Sequence, residues 1–321
     1  MGEVPPLSIV DRASVGVARD RVRQVGAEVG LGSVDVERLA LAVSELAQNQ
    51  VDHAREGTVR VRSVERDGVP GVEVEARDRG SGIPDPAGAL LGVVAGRGLG
   101  AGVAAVRRMV EELDVDVRLG EGTTLTVRRF VRPAPRHPEV AVLGRGLDTP
   151  SGDGAAVFRD STGLVAVVVD GVGHGEPAHQ ATARALEAAR LADPLDVLAA
   201  MEEAAARTRG VAATVARWDL AGERILVAGV GNVACRLLSP GHPARHALPT
   251  VGVLGVRGRS PPRLHTLPAR PRDTLILYTD GISSRAELAP GEGGRSAAQL
   301  AQELLTVGAK PHDDALVLVA R

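Results

Sequence analysis

The hydrophobic pattern centres on one unbroken apolar run, Leu164–Val169, which closes on Asp170-Gly-Val-Gly-His-Gly175. Six consecutive apolar residues ending in turn formers predict a strand buried on both faces. Strict alternation elsewhere predicts strands over Thr58–Val64 and Val69–Arg77, joined by the hairpin turn Glu65-Arg-Asp-Gly68. Helical spacing of Val22, Val25 and Val29 predicts a helix over Arg19–Val29, ended by Gly30-Leu-Gly32. Leu39, Val43, Leu46, Ala47 and Gln50 mark a second helix, Val36–Ala54, with Ser33 or Asp35 as its cap. Val4–Val17 has no clean period and is expected to form one or two strands. A loop after Pro84, a helix over Val103–Leu113, and strands over Val115–Leu119 and Thr124–Phe130 complete the first half.

Pro133, Pro135 and Pro138 then fall within a few residues of one another. Proline removes a backbone donor and fixes φ, so this segment continues neither a helix nor a central strand. The expected organisation is a domain over 1–131, a linker over 132–139 and a domain over 140–321. In the second domain, strands are expected at Val140–Leu143, Gly154–Arg159, Leu164–Val169, Ala213–Asp219, Arg224–Gly229, Cys235–Leu238, Thr274–Tyr278 and Ala315–Val319. Helices are expected at Pro177–Ala189, Pro194–Arg207 and Ala297–Thr306.

Composition narrows the classes. A hydrophobic content of 44% with 24% charged residues is that of a globular chain. The net charge of -2 sets up no field favouring nucleic acid or an anionic membrane, and aromatics at 1% remove base-stacking platforms. The single cysteine, Cys235, lies in an apolar stretch and fits a reducing compartment. Neither a signal peptide nor a membrane-length apolar run is present in the pattern, so a cytoplasmic location is expected.

Two groups of residues carry candidate chemistry. On the helix Val36–Ala54, Glu45 and Asn49 are four apart and share a face. A carboxylate and an amide so placed can orient a nucleophile and a magnesium ion. Asp78 ends a strand before a glycine-rich turn, where it can accept a hydrogen bond from an exocyclic amine such as that of adenine. Gly96, Gly98, Gly100 and Gly102 lead into a helix, and free amides at a helix N-terminus suit phosphate. The ordered set Glu45-Leu-Ala-Gln-Asn49, Asp78-Arg-Gly-Ser-Gly82, Gly98-Leu-Gly-Ala-Gly102 and Gly122-Thr-Thr124 resembles the ATP-binding boxes of the GHKL ATPase and kinase superfamily, over about residues 1–130. Within it the chain looks most like RsbT-type switch kinases and anti-sigma factor serine kinases. The resemblance implies an α/β sandwich binding ATP and magnesium, and phosphotransfer to serine or threonine of a STAS-domain protein. It makes Glu45 the general base and Asn49 the magnesium ligand. Asp78 would read adenine beside Gly82, Gly98, Gly100 and Gly102 would hold phosphate, and Thr123 would support Asp78. His53, one turn past Asn49, reads as structural.

In the second half Asp153, Asp170, Asp280 and Asp313 each sit in a Gly- or Asp-rich turn beside an apolar run. Carboxylates brought together repel unless cations fill the cluster, and hard oxygen ligands select magnesium or manganese. Two such ions can activate a water for attack on a phosphoester. With Ala212-Ala-Thr214, Gly229-Val-Gly-Asn232 and Gly252-Val-Leu-Gly255, these turns resemble the PPM-type serine/threonine phosphatases of the SpoIIE and RsbX branch, over about 140–321. The resemblance implies two stacked antiparallel sheets flanked by helices, an αββα sandwich, and so an α+β chain overall. It also implies that Asp170 bridges two Mn2+ or Mg2+ ions, joined by the Gly171 carbonyl, with Asp153, Asp280 and Asp313 completing the shells. Leu316 stands where that family usually has threonine, and Ala286–Gly294 is short.

The functional expectation is a partner-switching regulator that adds and removes phosphate on STAS-domain anti-anti-sigma or stressosome-type proteins. The alternative is an ATP-dependent module that binds a sigma factor or effector, fused to an active phosphatase. A phosphatase half serving only as a scaffold is a third reading.

Overall fold

The structure, a computed structural model, is described for all residues except 1–4, 55, 94–98, 135, 190, 192, 257, 259, 287 and 289–293. The chain divides into two compact units, Met1–Glu139 and Val140–Arg321.

The first unit opens with strand β1 (Leu7–Ile9) and helix α1 (Arg12–Val29). Strands were expected over Val4–Val17, but most of that segment is helical. Asp11 and Ser14 form a capping box, each side chain taking the other's backbone amide, and Ala18, Val22 and Val25 bury the same helix face. Capping and burial together override the weak helix propensity of Val15, Gly16 and Val17. Helix α2 (Ser33–His53) starts directly after Gly32; neither Ser33 nor Asp35 caps it, since both lie inside its first turn. Strands β2 (Gly57–Arg66) and β3 (Val69–Asp78) form the expected hairpin, with Asp67 and Gly68 both at positive φ (48° and 70°) in the turn. The expected loop contains a short helix, α3 (Pro86–Leu91), started by Asp85 and Pro86. Helix α4 (Leu99–Met109) is shorter than expected at its end, because Glu112 and Leu113 pair with Arg128 and Val127. Strands β4 (Glu112–Leu119) and β5 (Gly122–Phe130) complete an antiparallel sheet of order β1-β2-β3-β5-β4. Val72, Val74 and Ala76 face the helices, as the period of two requires.

The other sheet face carries a cross-strand row of alternating charge, Arg62, Glu73, Arg128 and Glu112, aligned on four adjacent strands. Arg62 and Arg128 each donate to Glu73 at 2.7 Å, and Arg128 donates to Asp114 at 2.6 Å. Glu73 and Arg128 are buried. Removing one member of such a group leaves a desolvated charge, whereas an exposed pair contributes little.

In the second unit β6 (Val140–Arg145), β15 (Ala315–Ala320), β14 (Thr274–Tyr278), β11 (Ala234–Leu238) and β12 (Arg245–Ala247) form one antiparallel sheet in that order. The other, also antiparallel, runs β13 (Leu264–Pro268), β10 (Arg224–Val230), β9 (Val211–Asp219), β8 (Gly163–Gly171) and β7 (Asp153–Asp160). Leu164, Ala166 and Val168 of β8 face the first sheet, where they meet Leu275, Leu277, Leu316 and Leu318. Val165, Val167 and Val169 face the opposite way, against helices α5 (Glu176–Ala188) and α6 (Pro194–Ala205). Helix α7 (Ala297–Gly308) packs on β6 and β15. The strand buried on both faces matches the pattern reading, and the αββα layering matches what the phosphatase resemblance implies. β12 and β13 were not anticipated; both are short, and β13 is largely exposed. Cys235 is buried between the sheets, and that burial pushes its thiol up to about 12.

Arg128→Met should lower the unfolding free energy by about 2–4 kcal/mol, the cost of removing the buried guanidinium that joins Asp114 to Glu73. Chemical denaturation followed on the isolated change would show it; a loss below about 0.5 kcal/mol would mean that the row is ornamental.

Candidate functional sites

The first site lies within the first unit. The last turns of α2 present Glu45, Asn49 and His53 at four-residue steps. Gly102 of α4 packs against the first two: a Cβ built there would lie 3.2 Å from Glu45 Oε2 and 3.4 Å from Asn49 Nδ2. A cavity of about 300 Å³ extends from Asn49 and His53 to Asp78, walled by Leu46, Ala76, Ile83, Val103 and Leu125. At its polar end, Asp78 Oδ1 accepts from the amides of Gly80 at 2.7 Å and Thr123 at 3.2 Å. Burial raises the Asp78 carboxyl above its ordinary value, while the two amides pull it back. Thr123 thus acts through its backbone. Gly82 has φ +76, and a Cβ there would come within 2.8 Å of the Arg118 carbonyl, so the turn beneath Asp78 excludes a side chain. Gly100 stands in the first turn of α4, and Gly98 lies outside the described residues. His53 and Gln50 also line the cavity. Gln50 Nε2 donates to the carbonyls of Thr58 and Arg77 at 3.1 Å each, which ties the entrance to β2 and the exit of β3 to α2. An apolar slot with one buried carboxylate suits a flat heterocycle bearing an amine, and Glu45 with Asn49 can orient a hydroxyl and an ion at the other end.

The second site lies within the second unit. Antiparallel order sets the start of β7, the end of β8, the end of β14 and the start of β15 at one margin of the sandwich. Asp153 pairs directly with Asp170 across β7 and β8, which puts both carboxylates on one face. The same parity that points Leu164, Ala166 and Val168 between the sheets points Asp170 there. Asp280 follows β14 and Asp313 precedes β15. Burial first, then the carboxylates of Asp280, Asp313 and Asp314, push Asp170 up to about 7, against a hydrogen bond from Asn232. The same Asn232 amide donates to Asp280 at 2.7 Å. Burial and Asp280 likewise raise Asp313, with Lys310 opposing. Asp153 is buried and accepts from the Thr279 hydroxyl at 2.7 Å, while Thr279 Oγ1 accepts from the Leu316 amide at 3.0 Å. Asp314 is different: it accepts the amides of Leu147 at 2.5 Å and Gly152 at 2.6 Å, and so ties two loops together. Gly171 packs too closely for a side chain, with Ala178 O only 2.4 Å from a built Cβ. Thr214, in a motif read as supporting, donates to the Val233 carbonyl at 2.7 Å and so fixes the turn that carries Asn232.

The structure therefore brings Asp170, Asp280 and Asp313 into mutual electrostatic range and places Asp153 opposite Asp170. Among the described residues, no three His, Cys, Asp or Glu side chains converge at ligand distance on one point. The donor chemistry nonetheless fits hard divalent cations. All the donors are oxygens, Asn232 meets Asp170 and Asp280 with a neutral amide, and the repulsion among the carboxylates is what a dication relieves. Pattern reading missed Thr279 and Asn232 as individual contributors, although both stand inside the motifs that carried Asp280 and Gly231.

The two folds and their sites define a protein that combines a histidine kinase-like ATPase domain with a PP2C-type phosphatase domain. Residues 160–321 match the family model of stage II sporulation protein E (SpoIIE), and residues 10–129 match that of the histidine kinase-like ATPase domain. The chain belongs to the SpoIIE family, with an RsbT-like ATPase domain joined to it. It is 33% identical over 133 residues to the serine/threonine-protein kinase RsbT of Bacillus subtilis (strain 168), covering 41% of this chain and 100% of that one. A chain from the bacterial stressosome, described as a modular system adapted to control secondary messenger signaling, superposes with a TM-score of 0.54 at 23% identity, over 58% of this chain and 100% of that one. RsbX in complex with magnesium superposes with a TM-score of 0.51 at 20% identity, over 59% of this chain and 96% of that one. Among the described residues, no helix is long and apolar enough to cross a membrane.

The raised Asp170 carboxyl has a thermodynamic consequence in chelator-treated protein. The folded state keeps a proton up to about pH 7 that the unfolded chain, at the ordinary value of 3.8, has already released. Folding then takes up a proton between those values, and stability falls as pH rises through that window. Asp170→Asn should raise the stability of the chelated protein by about 1–2 kcal/mol near pH 8, after allowance for solvent screening, and by much less near pH 4.5. Thermal unfolding at the two pH values measures it; an equal gain at both would rule out electrostatic strain at Asp170.

Proposed function

We propose that this chain is a bifunctional partner-switching regulator. Residues 1–131 phosphorylate serine or threonine of a STAS-domain protein from MgATP, and residues 140–321 remove such phosphate with Mn2+ or Mg2+; residues 132–139 link the two. The observation that carries the phosphatase half is the Asp170 cluster, in which like charges are gathered while the neutral groups of Asn232 and Thr279 donate to carboxylates. The identity with RsbT, itself a serine/threonine-protein kinase, supports the first activity, and the stressosome likeness supports the class of partner.

At the first site, Asp78 would accept from the adenine amine within the apolar slot, while Gly98, Gly100 and Gly102 would free backbone for the phosphates. Asn49 would hold magnesium, and Glu45 would take the proton of the attacking hydroxyl. The packing of Gly102 against both Glu45 and Asn49 favours transfer over mere binding, because a module that only holds ATP has no use for a carboxylate there. At the second site, Asp153, Asp170, Asp280, Asp313 and the Gly171 carbonyl would hold the ions, which supply an activated water and neutralise phosphoryl charge. Thr279 keeps Asp153 oriented, and Asn232 donates to Asp280 and opposes the rise of the Asp170 carboxyl. Occupation of the site displaces the proton held by Asp170, so metal affinity should weaken below about pH 7.

Two substitutions separate the activities. Asp170→Asn should reduce manganese-dependent release of phosphate from a phosphorylated STAS-domain protein by at least about 100-fold and leave ATP binding intact. Glu45→Ala should abolish phosphotransfer with ATP affinity changed by less than about three-fold. A wild-type protein that releases phosphate yet transfers none from ATP would replace the kinase half by an ATP-dependent module holding a sigma factor or effector.

A further inference from the structure

The margin of the carboxylate cluster carries a cation that the reading above leaves without a task. β9 begins at Val211, opposite Gly171, and the ladder extends one step further through the Val172 amide, which donates to the Gly210 carbonyl at 3.1 Å. Arg209 therefore emerges beside Gly173, three residues past Asp170. The approach is close: a Cβ built on Gly173 would lie 2.7 Å from a terminal nitrogen of the guanidinium. Gly173 also has φ +97, so handedness and the guanidinium both exclude a side chain there.

The turn that carries Arg209 is fixed. Thr208 Oγ1 donates to the Ala205 carbonyl at 2.6 Å and accepts from the Gly210 amide at 3.0 Å. Gly210 has φ +85, and a Cβ there would meet Val253 at 2.5 Å. Yet the side chain is exposed and, among the described residues, makes no hydrogen bond or ion pair. The nearby basic groups are engaged otherwise: Lys310 opposes the charge of Asp313, and Arg145 donates to the Lys310 carbonyl at 2.6 Å. A guanidinium on a rigid turn, beside a metal-type carboxylate cluster but bonded to none of it, is placed to meet an anion arriving at that cluster.

We propose that Arg209 anchors the phosphoryl group of the substrate, through charge-assisted N–H···O bonds to the non-bridging oxygens of phosphoserine or phosphothreonine. The inference rests on the phosphatase reading of the second site. Val172 and Val256, 40% and 49% exposed, stand beside the same turn, so residues flanking the phosphate meet an apolar surface.

The test uses the full chain loaded with Mn2+, with p-nitrophenyl phosphate as substrate and inorganic phosphate as inhibitor and as calorimetric titrant. In Arg209→Ala, KM, the inhibition constant and the dissociation constant of phosphate should each rise about ten-fold or more, with kcat held within about three-fold. Arg209→Lys, which keeps the charge but not the fork, should fall between. Manganese affinity and the melting temperature should not move, which separates anchoring from a structural role. Equal phosphate affinity in wild type and Arg209→Ala, or a wild type that binds no phosphate, overturns the assignment. A wild type that binds phosphate through Arg209 but hydrolyses no ester would instead retire the phosphatase reading and leave the anchor standing.

Discussion

The direct pairing of Asp153 with Asp170 across β7 and β8 is the constraint on which the second unit depends. Like charges facing each other on one side of an antiparallel pair are destabilising, and ordinary sheets avoid them. Here the polar partners are neutral groups. Thr279 offers a hydroxyl to Asp153, and Asn232 offers an amide to Asp170 and Asp280. Neutral donors orient carboxylates without cancelling them. The first unit uses the same cross-strand geometry to the opposite end, since the row Arg62, Glu73, Arg128 and Glu112 alternates in sign and closes on itself. One arrangement spends its charge internally and serves stability; the other leaves charge outstanding and serves binding.

Each unit also ends a sheet strand in an aspartate followed by glycine-rich backbone, but the two aspartates are held differently. Asp78 is raised chiefly by burial and is bonded by the amides of Gly80 and Thr123 on one oxygen. That leaves an acceptor aimed into an apolar slot, which is the chemistry of recognition. Asp170 is raised by burial and then by its like-charged neighbours, which is the chemistry of a cation site. An aspartate at a strand end before glycine-rich backbone is therefore not one motif, and only the surroundings distinguish its uses.

Much of this was legible in the residues. The apolar run Leu164–Val169 and the hairpin turn at Asp67-Gly68 each express a local rule strongly enough to be read alone. The four-residue step from Glu45 to Asn49 placed both on one face, and the acidic turns pointed to the cluster. The failures share a cause. Arg12–Val17 became helical through a cap and a buried face that lie partly outside the segment, and Glu112-Leu113 left the helix because β5 offered pairing partners. Thr279, Asn232 and Arg209 take their meaning from contacts 126, 48 and 36 residues away in the chain or from a neighbour's missing side chain, and no window of sequence displays such contacts.

Under the proposed function, joining the two activities would have a kinetic meaning that neither has alone. Phosphotransfer from ATP and hydrolysis of a phosphoester are not the forward and reverse of one reaction, since hydrolysis returns inorganic phosphate and not ATP. A substrate shared by both sites therefore has no equilibrium degree of phosphorylation set by this chain. Its state follows the ratio of two rates, each tied to a different ligand. On the proposed reading the slot around Asp78 would respond to adenine nucleotide, and the Asp170 cluster to divalent cation and to pH near 7, where burial and like charge place its carboxyl. Nucleotide supply would then act on phosphotransfer alone, whereas divalent cation would act on both rates and pH near 7 on hydrolysis.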